Sequence, residues 1–498
     1  MRKKSEIKME KSKKNTIINI IFIIAIVTFM CFNFIAKEVN DLDELWNYNF
    51  ASNIANGLVP YRDFNMIITP TLSIFCGLIL KIFGKELFIM RILAIILNSG
   101  IIYMIYKIQK KLDINLTIRL GTTTLIIYML KNLFAIDYNF SLALMVLIIL
   151  NIEIKKERKE IKLQLKYDLI LGILLGICIT LKQTVGTIIT IAFSGYFVLL
   201  GIKNKEAWKI LLIRLIGASI PVFSMLIYLA LNDALYEFFD YCILGVKTFS
   251  NSISYQNLIE DKNIVFKVSS IVLPITVLVI GIYGIIKKDT KAIILFAASI
   301  SQFILAIPIS DKVHFSVAVI PSIISFSHLL KKTIEKIDIK RTNFISIFIN
   351  TQLTLLFIII FAFLYSQAVQ NAKNININTE IKHYKYLNLP QYSIKDIKEM
   401  DEFIISQSKD VYILDFIASY YMIPIDRYTK DFDMFNLGNF GSKGEQGQIE
   451  KIQKTENAMF LIRKDGYRRN WQNPENVREY VKNNMTKTGE IGAFDIYE

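Results

Sequence analysis

Long apolar runs alternate with short basic segments over the first three quarters of this chain. Runs long enough to cross a bilayer fall at 17–36, 86–107, 115–134, 139–153, 168–182, 184–202, 210–231, 266–286, 291–308, 314–330 and 343–367. They predict about eleven transmembrane helices. One further stretch, PTLSIFCGLILKIF (70–83), reaches only roughly 21 Å at 1.5 Å per residue, against a hydrocarbon core of about 30 Å. Helix signals set it apart, with Thr69 suited to an N-cap, Pro70 to the first helical position and Gly84 to the C-terminal stop. If it crossed, the basic segments KIQKK (107–111) and IKKERKEIK (154–162) would lie outside, against the positive-inside rule. Laid flat on the outer surface, it leaves the N-terminus and the connectors 107–111, 155–166, 203–209, 287–291 and 331–341 all inside. Segments 37–85, 135–138, 232–265, 309–313 and everything after about 368 then lie outside.

The pattern changes near residue 368. Amphipathic helical periods (IKDIKEMDEFIISQ, PENVREYVKNN) alternate there with short strand patterns (VYILDFI, AMFLIRK), which predicts a small α/β domain on the outer side. FNLGNFGSKGE (435–445) lacks the order of a phosphate-binding loop and reads as a structural turn region. The predicted organisation is a basic cytoplasmic N-terminus (1–16), a transmembrane domain (17–367) whose first outer loop is 37–85, and an extracytoplasmic domain (368–498). The class is a mainly α polytopic membrane protein with two interfacial outer helices.

Composition agrees. Of 498 residues 53% are hydrophobic and mean hydropathy is +0.41. The net charge of +15 is distributed among the inner connectors instead of forming one basic face, so it reads as a topology signal and not as a nucleic-acid footprint. Residues 1–16 carry seven Lys or Arg, and the run after them is too long for a signal-peptide core and lacks an exit site, so it is expected to remain as an anchor. Cys31, Cys76, Cys178 and Cys242 have no metal-ligand or redox spacing, so no disulfide framework is expected.

Chemistry concentrates after the first span, in DLDELWNYNFASNIANGLVPYRDF (41–64). Asp41 and Glu44 have the spacing of a capping box, which predicts a surface helix ending at Gly57. Asp43 is then left in the first turn, where the helix dipole favours a carboxylate. Pro60 fixes a turn carrying Arg62 and Asp63. Further charges recur at the same outer level: Asp137 in AIDYN, Lys182 in TLKQT, and Asp311, Lys312 and His314 in PISDKVHF. Arg91 lies about one turn into the second span. Lys182, Lys312 and Arg91 also read as interfacial anchors that snorkel. Together, acids and bases from separate loops converge above an apolar bundle, which suits a substrate with a charged head and a lipid tail.

These motifs resemble the first outer loop of the GT-C glycosyltransferases that use polyprenyl-phosphate sugars, the superfamily of aminoarabinose transferases and protein O-mannosyltransferases. The matching features are Asp43-Glu44, Gly57, Pro60-Tyr61-Arg62-Asp63, Pro70, Phe83-Gly84 with Arg91, then DYN, Lys182 to Gly186, and Asp311 with His314. Ile309 and Ser310 stand where an Arg is often found, and Thr69-Pro70 where relatives often carry a charged residue and paired prolines.

The resemblance implies a GT-C fold and an inverting sugar transfer from a polyprenyl-phosphate donor to an extracytoplasmic acceptor, which is a cell-envelope glycan, lipid or protein. Asp43 matches the catalytic aspartate. Glu44, Arg62, Asp63, Arg91, Asp137, Lys182, Asp311 and His314 are the residues implied around the substrate and its phosphate. No cofactor follows from the residues, and a divalent metal ion is left open. The implied location is the bacterial plasma membrane, with the N-terminus inside and the C-terminal domain outside. Two other classes stay open: a transporter or flippase of lipid-linked glycans, and a non-catalytic envelope assembly protein.

Overall fold

The computed structural model describes residues 2–39, 42–158, 165–201, 205–248, 252–336, 343–464 and 469–498. Helices dominate, because inside an apolar medium every backbone amide and carbonyl must find its partner within its own segment. They run in chain order as α1 (Arg2–Ile35), α2 (Leu42–Ala55), α3 (Thr71–Phe83), α4 (Leu87–Lys111), α5 (Leu116–Leu130), α6 (Tyr138–Glu157), α7 (Leu165–Leu181), α8 (Gln183–Gly201) and α9 (Lys205–Leu231). After the short turns α10 (Leu235–Phe238) and α11 (Gln256–Ile259) come α12 (Ile264–Lys287), α13 (Thr290–Phe303), α14 (Lys312–Ala318), α15 (Ile320–Lys336) and α16 (Asn343–Lys373).

Ile102 and Ile105 of α4, Val146 and Leu150 of α6, Leu295 of α13, and Ile323 and Ile324 of α15 are fully buried, so these four helices form the centre of the bundle. Helices α12 and α16 stand at the rim, with Ile285 and Ile359 among many exposed apolar side chains. By length and composition, among the described residues, five helices suffice to cross a membrane: α4, α6, α9, α12 and Phe348–Lys373 of α16. A sixth counts if α14 and α15, bent by 51° at Val319, form one span. Of the other expected spans, the described apolar parts of α1 (Asn19–Ile35), α5 and α13 run to 17 residues or fewer, and α7 has 17.

Helices α7 and α9 meet along a seam of small residues. A Cβ on Gly172 would lie 2.3 Å from the Arg214 carbonyl oxygen, and one on Gly176 would lie 2.2 Å from that of Ala218. Backbones this close require glycine. The seam is bolted at the end that the sequence assigns to the inner side. Arg214 is fully buried, with Nη1 2.6 Å from Glu153 Oε1 and Nη2 3.0 Å from Asp168 Oδ1; Lys156 Nζ lies 2.5 Å from the same Asp168 oxygen.

In the first outer loop, Asp41 of the expected capping box lies outside the described residues. α2 ends as expected, before Gly57 with φ +90°. α3 departs from expectation at its start. It begins at Thr71 with Pro70 in the N-cap position and no side-chain cap, so Thr69 does not cap it. α3 buries Leu72, Cys76 and Leu80 against the fold and exposes Phe75, Leu78, Ile82 and Phe83.

The last quarter of the chain contains α17 (Gln391–Ser406), α18 (Ala418–Met422), α19 (Gly444–Lys454) and α20 (Glu475–Asn484) around a four-stranded sheet. Its strands are β1 (Asp410–Ile413), β2 (Ala458–Arg463), β3 (Lys487–Ile491) and β4 (Phe494–Tyr497), in spatial order β1-β2-β4-β3. β1 pairs with β2 in parallel, and the other two pairings are antiparallel. α17 buries Ile394, Ile397, Met400 and Ile404, spaced as one helical face. This part rests on the first outer loop: the Leu87 amide donates to His383 O at 2.9 Å, Asn388 Nδ2 to Ala36 O at 2.9 Å, and Trp46 Nε1 to Phe416 O at 3.2 Å.

Candidate active site

The first turn of α2 separates its two carboxylates, since successive helical residues point about 100° apart. Glu44 turns inward and is 2% exposed, whereas Asp43 is exposed. Glu44 meets Arg91 of α4, with Nε 2.6 Å from Oε1 and Nη2 2.9 Å from Oε2. The remaining Arg91 donors go to main-chain oxygens after α1: Phe34 at 3.0 Å, Lys37 at 2.6 Å and Glu38 at 3.1 Å. The Phe134 ring lies 4.8 Å beneath the guanidinium. All five N–H groups of an arginine are thereby engaged. The sequence implied a substrate or phosphate contact for Arg91 and Glu44; in the structure the pair fastens α1, α2 and α4 together and thereby fixes the turn carrying Asp43.

Arg62 and Asp63 likewise hold each other. Arg62 Nε and Nη2 lie 2.8 Å from the two Asp63 oxygens, and the Val59 amide donates to Asp63 at 2.7 Å. The Arg62 hydrogen bonds hold the Asp63 carboxyl below its ordinary range. The turn is fixed by Tyr61, buried at φ +69° with its hydroxyl donating to Ile68 O at 2.5 Å. Arg62 also feels Tyr228, near the end of α9, and Asp233 just after it.

That group is built from four other segments. Asp137 is the N-cap of α6, accepting from the Asn139 amide at 2.6 Å, and is 6% exposed. Burial raises its pKa above the ordinary range, and the nearby Lys182 charge opposes the rise. Lys182 occupies the corner between α7 and α8. This corner is tight: a Cβ on Gly186 would sit 2.0 Å from the Cys178 carbonyl oxygen, so only glycine lets the chain turn and present Lys182. The ammonium donates to Asn139 Oδ1 at 3.0 Å and lies 4.9 Å from the Tyr138 ring centre. Both Asp43 and Asp137 act on its charge.

Asp311 is the N-cap of α14, accepting from the His314 amide at 2.9 Å while His314 Nδ1 lies 2.9 Å from the same oxygen. Burial pushes the Asp311 carboxyl up, but the His314 contacts and the Arg469 charge bring it below its ordinary range. His314 in turn acts on Asp137. Lys312 points elsewhere, 3.0 Å from Asp261.

Asp43, Asp137, Lys182, Asp311 and His314 thus form one electrostatic group. Tyr138 and Asn139 join it as the partners of Lys182; they belong to the DYN motif, which by itself assigns them no role. Arg469 had no sequence signal, since it arrives from a region more than 150 residues further along the chain. Among the described residues no set of three or more His, Cys, Asp or Glu gathers as metal ligands would. Two cavities lie away from the group. One of about 200 Å³ is lined by Glu153, Phe193, Ile210 and Ile294, and one of about 100 Å³ lies between α1, α5 and α16.

An apolar helical bundle with a mixed-charge group beside its first long loop is the frame in which these residues sit. No protein-family model matches the sequence. No curated protein matches it either. Solved structures do. The chain is similar to ArnT from Cupriavidus metallidurans in the apo state, with a TM-score of 0.60, 9% identity, and 98% of each chain covered. ArnT bound to undecaprenyl phosphate gives 0.58, 9%, and 97% of each chain. The oligosaccharyltransferase AglB from Archaeoglobus fulgidus, in complex with an inhibitory peptide and a dolichol-phosphate, gives 0.51 and 11% identity over 88% of this chain and 69% of that one. The chain shares its overall fold with these structures.

Proposed function

We propose that this protein is a membrane glycosyltransferase that moves a sugar from a polyprenyl-phosphate donor to an extracytoplasmic acceptor. The observation that carries the reading is the convergence of Asp43, Asp137, Lys182 and His314 from four separate segments at one end of a GT-C bundle. Two of the similar structures were solved with a polyprenyl phosphate, undecaprenyl phosphate in one and dolichol-phosphate in the other, which supports the donor class.

In the proposed step, Asp43 takes the proton of the acceptor hydroxyl or amine as that atom attacks the anomeric carbon. The new glycosidic bond forms as the bond from the anomeric carbon to the phosphate oxygen breaks, so the configuration inverts and polyprenyl phosphate leaves with the bonding pair. A positioned base contributes about 10²–10⁴-fold, so stabilising the leaving phosphate must supply much of the remainder. Lys182 suits that role, since among the described residues its bonded partners are a neutral amide oxygen and a ring, not a carboxylate. Asp137 positions Asn139 and so Lys182, while His314, held by Asp311, is proposed to contact the phosphate. Arg62 and Asp63 remain proposed as contacts for substrate passing the loop.

The orientation follows the basic connectors: about eleven spans in the bacterial plasma membrane, N-terminus inside, and residues 368–498 outside above the first outer loop. Native mass spectrometry of the full chain with added undecaprenyl phosphate tests the reading. The wild type should bind it, and Lys182→Met should weaken binding about 10-fold or more, as expected for loss of a charge-assisted bond. No binding by the wild type would overturn the proposal.

A further inference from the structure

Between α16 and α17 the chain makes a loop that Asn378 holds from inside. Its Oδ1 accepts from the Glu380 and Ile381 amides at 3.0 Å each, and its Nδ2 donates to Ile381 O at 3.1 Å and Tyr384 O at 2.9 Å. The loop presents His383, buried at φ +66°.

Three segments meet on this side chain. His383 Nδ1 lies against the carbonyl oxygen of Lys85 in the first outer loop, and Nε2 lies 2.7 Å from Asp426 Oδ1, which follows α18. The Lys85 oxygen also accepts from the Tyr48 hydroxyl of α2 at 2.7 Å, and the Tyr48 ring lies 6.3 Å from the imidazole. The joint therefore reaches the helix that carries Asp43.

Both ring nitrogens face oxygens that can only accept, one a carbonyl and the other a carboxylate. A neutral imidazole has a single N–H, so it fills one contact and turns a lone pair toward the oxygen in the other. Imidazolium fills both. Burial pushes the Asp426 carboxyl up, but Lys382 and His383 bring it below its ordinary range, so it stands as the matching anion. The other charged or titratable side chains around the joint are Lys382, bonded to Asp426, and Tyr428, which donates to Asp426 at 3.4 Å and lies 3.0 Å from Ser52 Oγ. Glu86 accepts from the Lys385 amide at 3.3 Å, and the Lys85 ammonium donates to Asn56 at 2.6 Å.

We propose that His383 is a proton-operated clasp: as imidazolium it ties the C-terminal region to the first outer loop, and loss of its proton releases one of the two contacts. The clasped form holds the extra proton, so clasping is complete at the acid end and weakens as pH rises through the range where histidine changes charge. The clasp needs no sugar donor or acceptor, so it stands or falls separately from the glycosyltransferase reading.

Hydrogen exchange of the full-length protein in lipid nanodiscs tests it, with each rate divided by the intrinsic rate at that pH. The reporter is the Leu87 amide, which donates to His383 O at 2.9 Å. Its protection in the wild type should fall about 10-fold between about pH 5.5 and about pH 8.5, the loss expected for one hydrogen bond to a charged group. His383→Gln should show one level of protection across that range. Asp426→Asn should stay protected at both ends of it, because an amide in place of the carboxylate can donate to the neutral imidazole. Equal wild-type protection at both pH values overturns the clasp. So does a pH dependence that survives in His383→Gln or Asp426→Asn, which would belong instead to Asp433 or Asp401, carboxyls that burial raises to about 6 and about 7.

Discussion

The two ends of the helical bundle hold similar side chains put to different use. At the end that the sequence assigns to the inner side, Arg214 and Lys156 meet Glu153 and Asp168 directly, with nitrogen–oxygen distances of 2.5–3.0 Å. At the outer end, Lys182 feels two carboxylates but bonds to Asn139, and Asp137 bonds to a backbone amide. A buried charge matched by its opposite is structurally complete, and removing one partner leaves the other stranded. Charges held apart by neutral groups keep capacity for a ligand. The inner set therefore reads as a lock on the α7–α9 seam, and the outer set as a site.

Substitutions at the two ends should separate activity from stability. Lys182→Met should lower transfer by about 10²-fold or more, with little change in thermal stability, measured as initial rates and melting in detergent. Arg214→Met should do the reverse: it strands Glu153, leaves Asp168 to Lys156 alone and costs about 3–5 kcal/mol, seen as a lower melting temperature and yield, while the folded fraction keeps its specific activity. If Arg214→Met inactivated without destabilising, the inner set would be more than a lock. Gly172→Ala, which presses a methyl into the Arg214 carbonyl, should cost about 1–3 kcal/mol by the same melting assay.

The smallest effect concerns Asp433, which ties the C-terminal region to α2 through Asn49 at 3.4 Å. Burial raises its carboxyl to about 6, against opposing bonds from Thr429. A carboxyl whose folded value is raised favours folding when protonated, so its contribution grows as pH falls through about 6 and is lost as pH rises through that value. Asp433→Asn should melt higher than the wild type at pH 7.5 by the equivalent of roughly 2 kcal/mol, with the gap closing near pH 4. A gap independent of pH would contradict this.

The outer group was legible residue by residue but not in its pairings. Asp137, Lys182, Asp311 and His314 announce themselves as charges at or between the ends of apolar runs, whereas the capping roles of Asp137 and Asp311 appear only in the structure. Arg91 could not be sorted in the same way, because its partner Glu44 lies 47 positions earlier and only the tertiary fold shows that every donor is taken. The Arg62–Asp63 pair is readable from adjacency alone, yet the motif around it points toward substrate instead. The inner lock is hidden in the sequence because Glu153, Asp168 and Arg214 sit in or at the ends of apolar runs, where single charges look like ordinary boundaries. The start of α3 lies two residues from the expected cap because Pro70 adopts the position that Thr69 was expected to fill.

The most direct test of the central claim is the rate of sugar transfer from a polyprenyl-phosphate donor by Asp43→Asn protein in proteoliposomes, alongside its binding of undecaprenyl phosphate. The account predicts transfer reduced by about 10²–10⁴-fold with lipid binding and membrane insertion unchanged. Full transfer activity in the Asp43→Asn protein would contradict it.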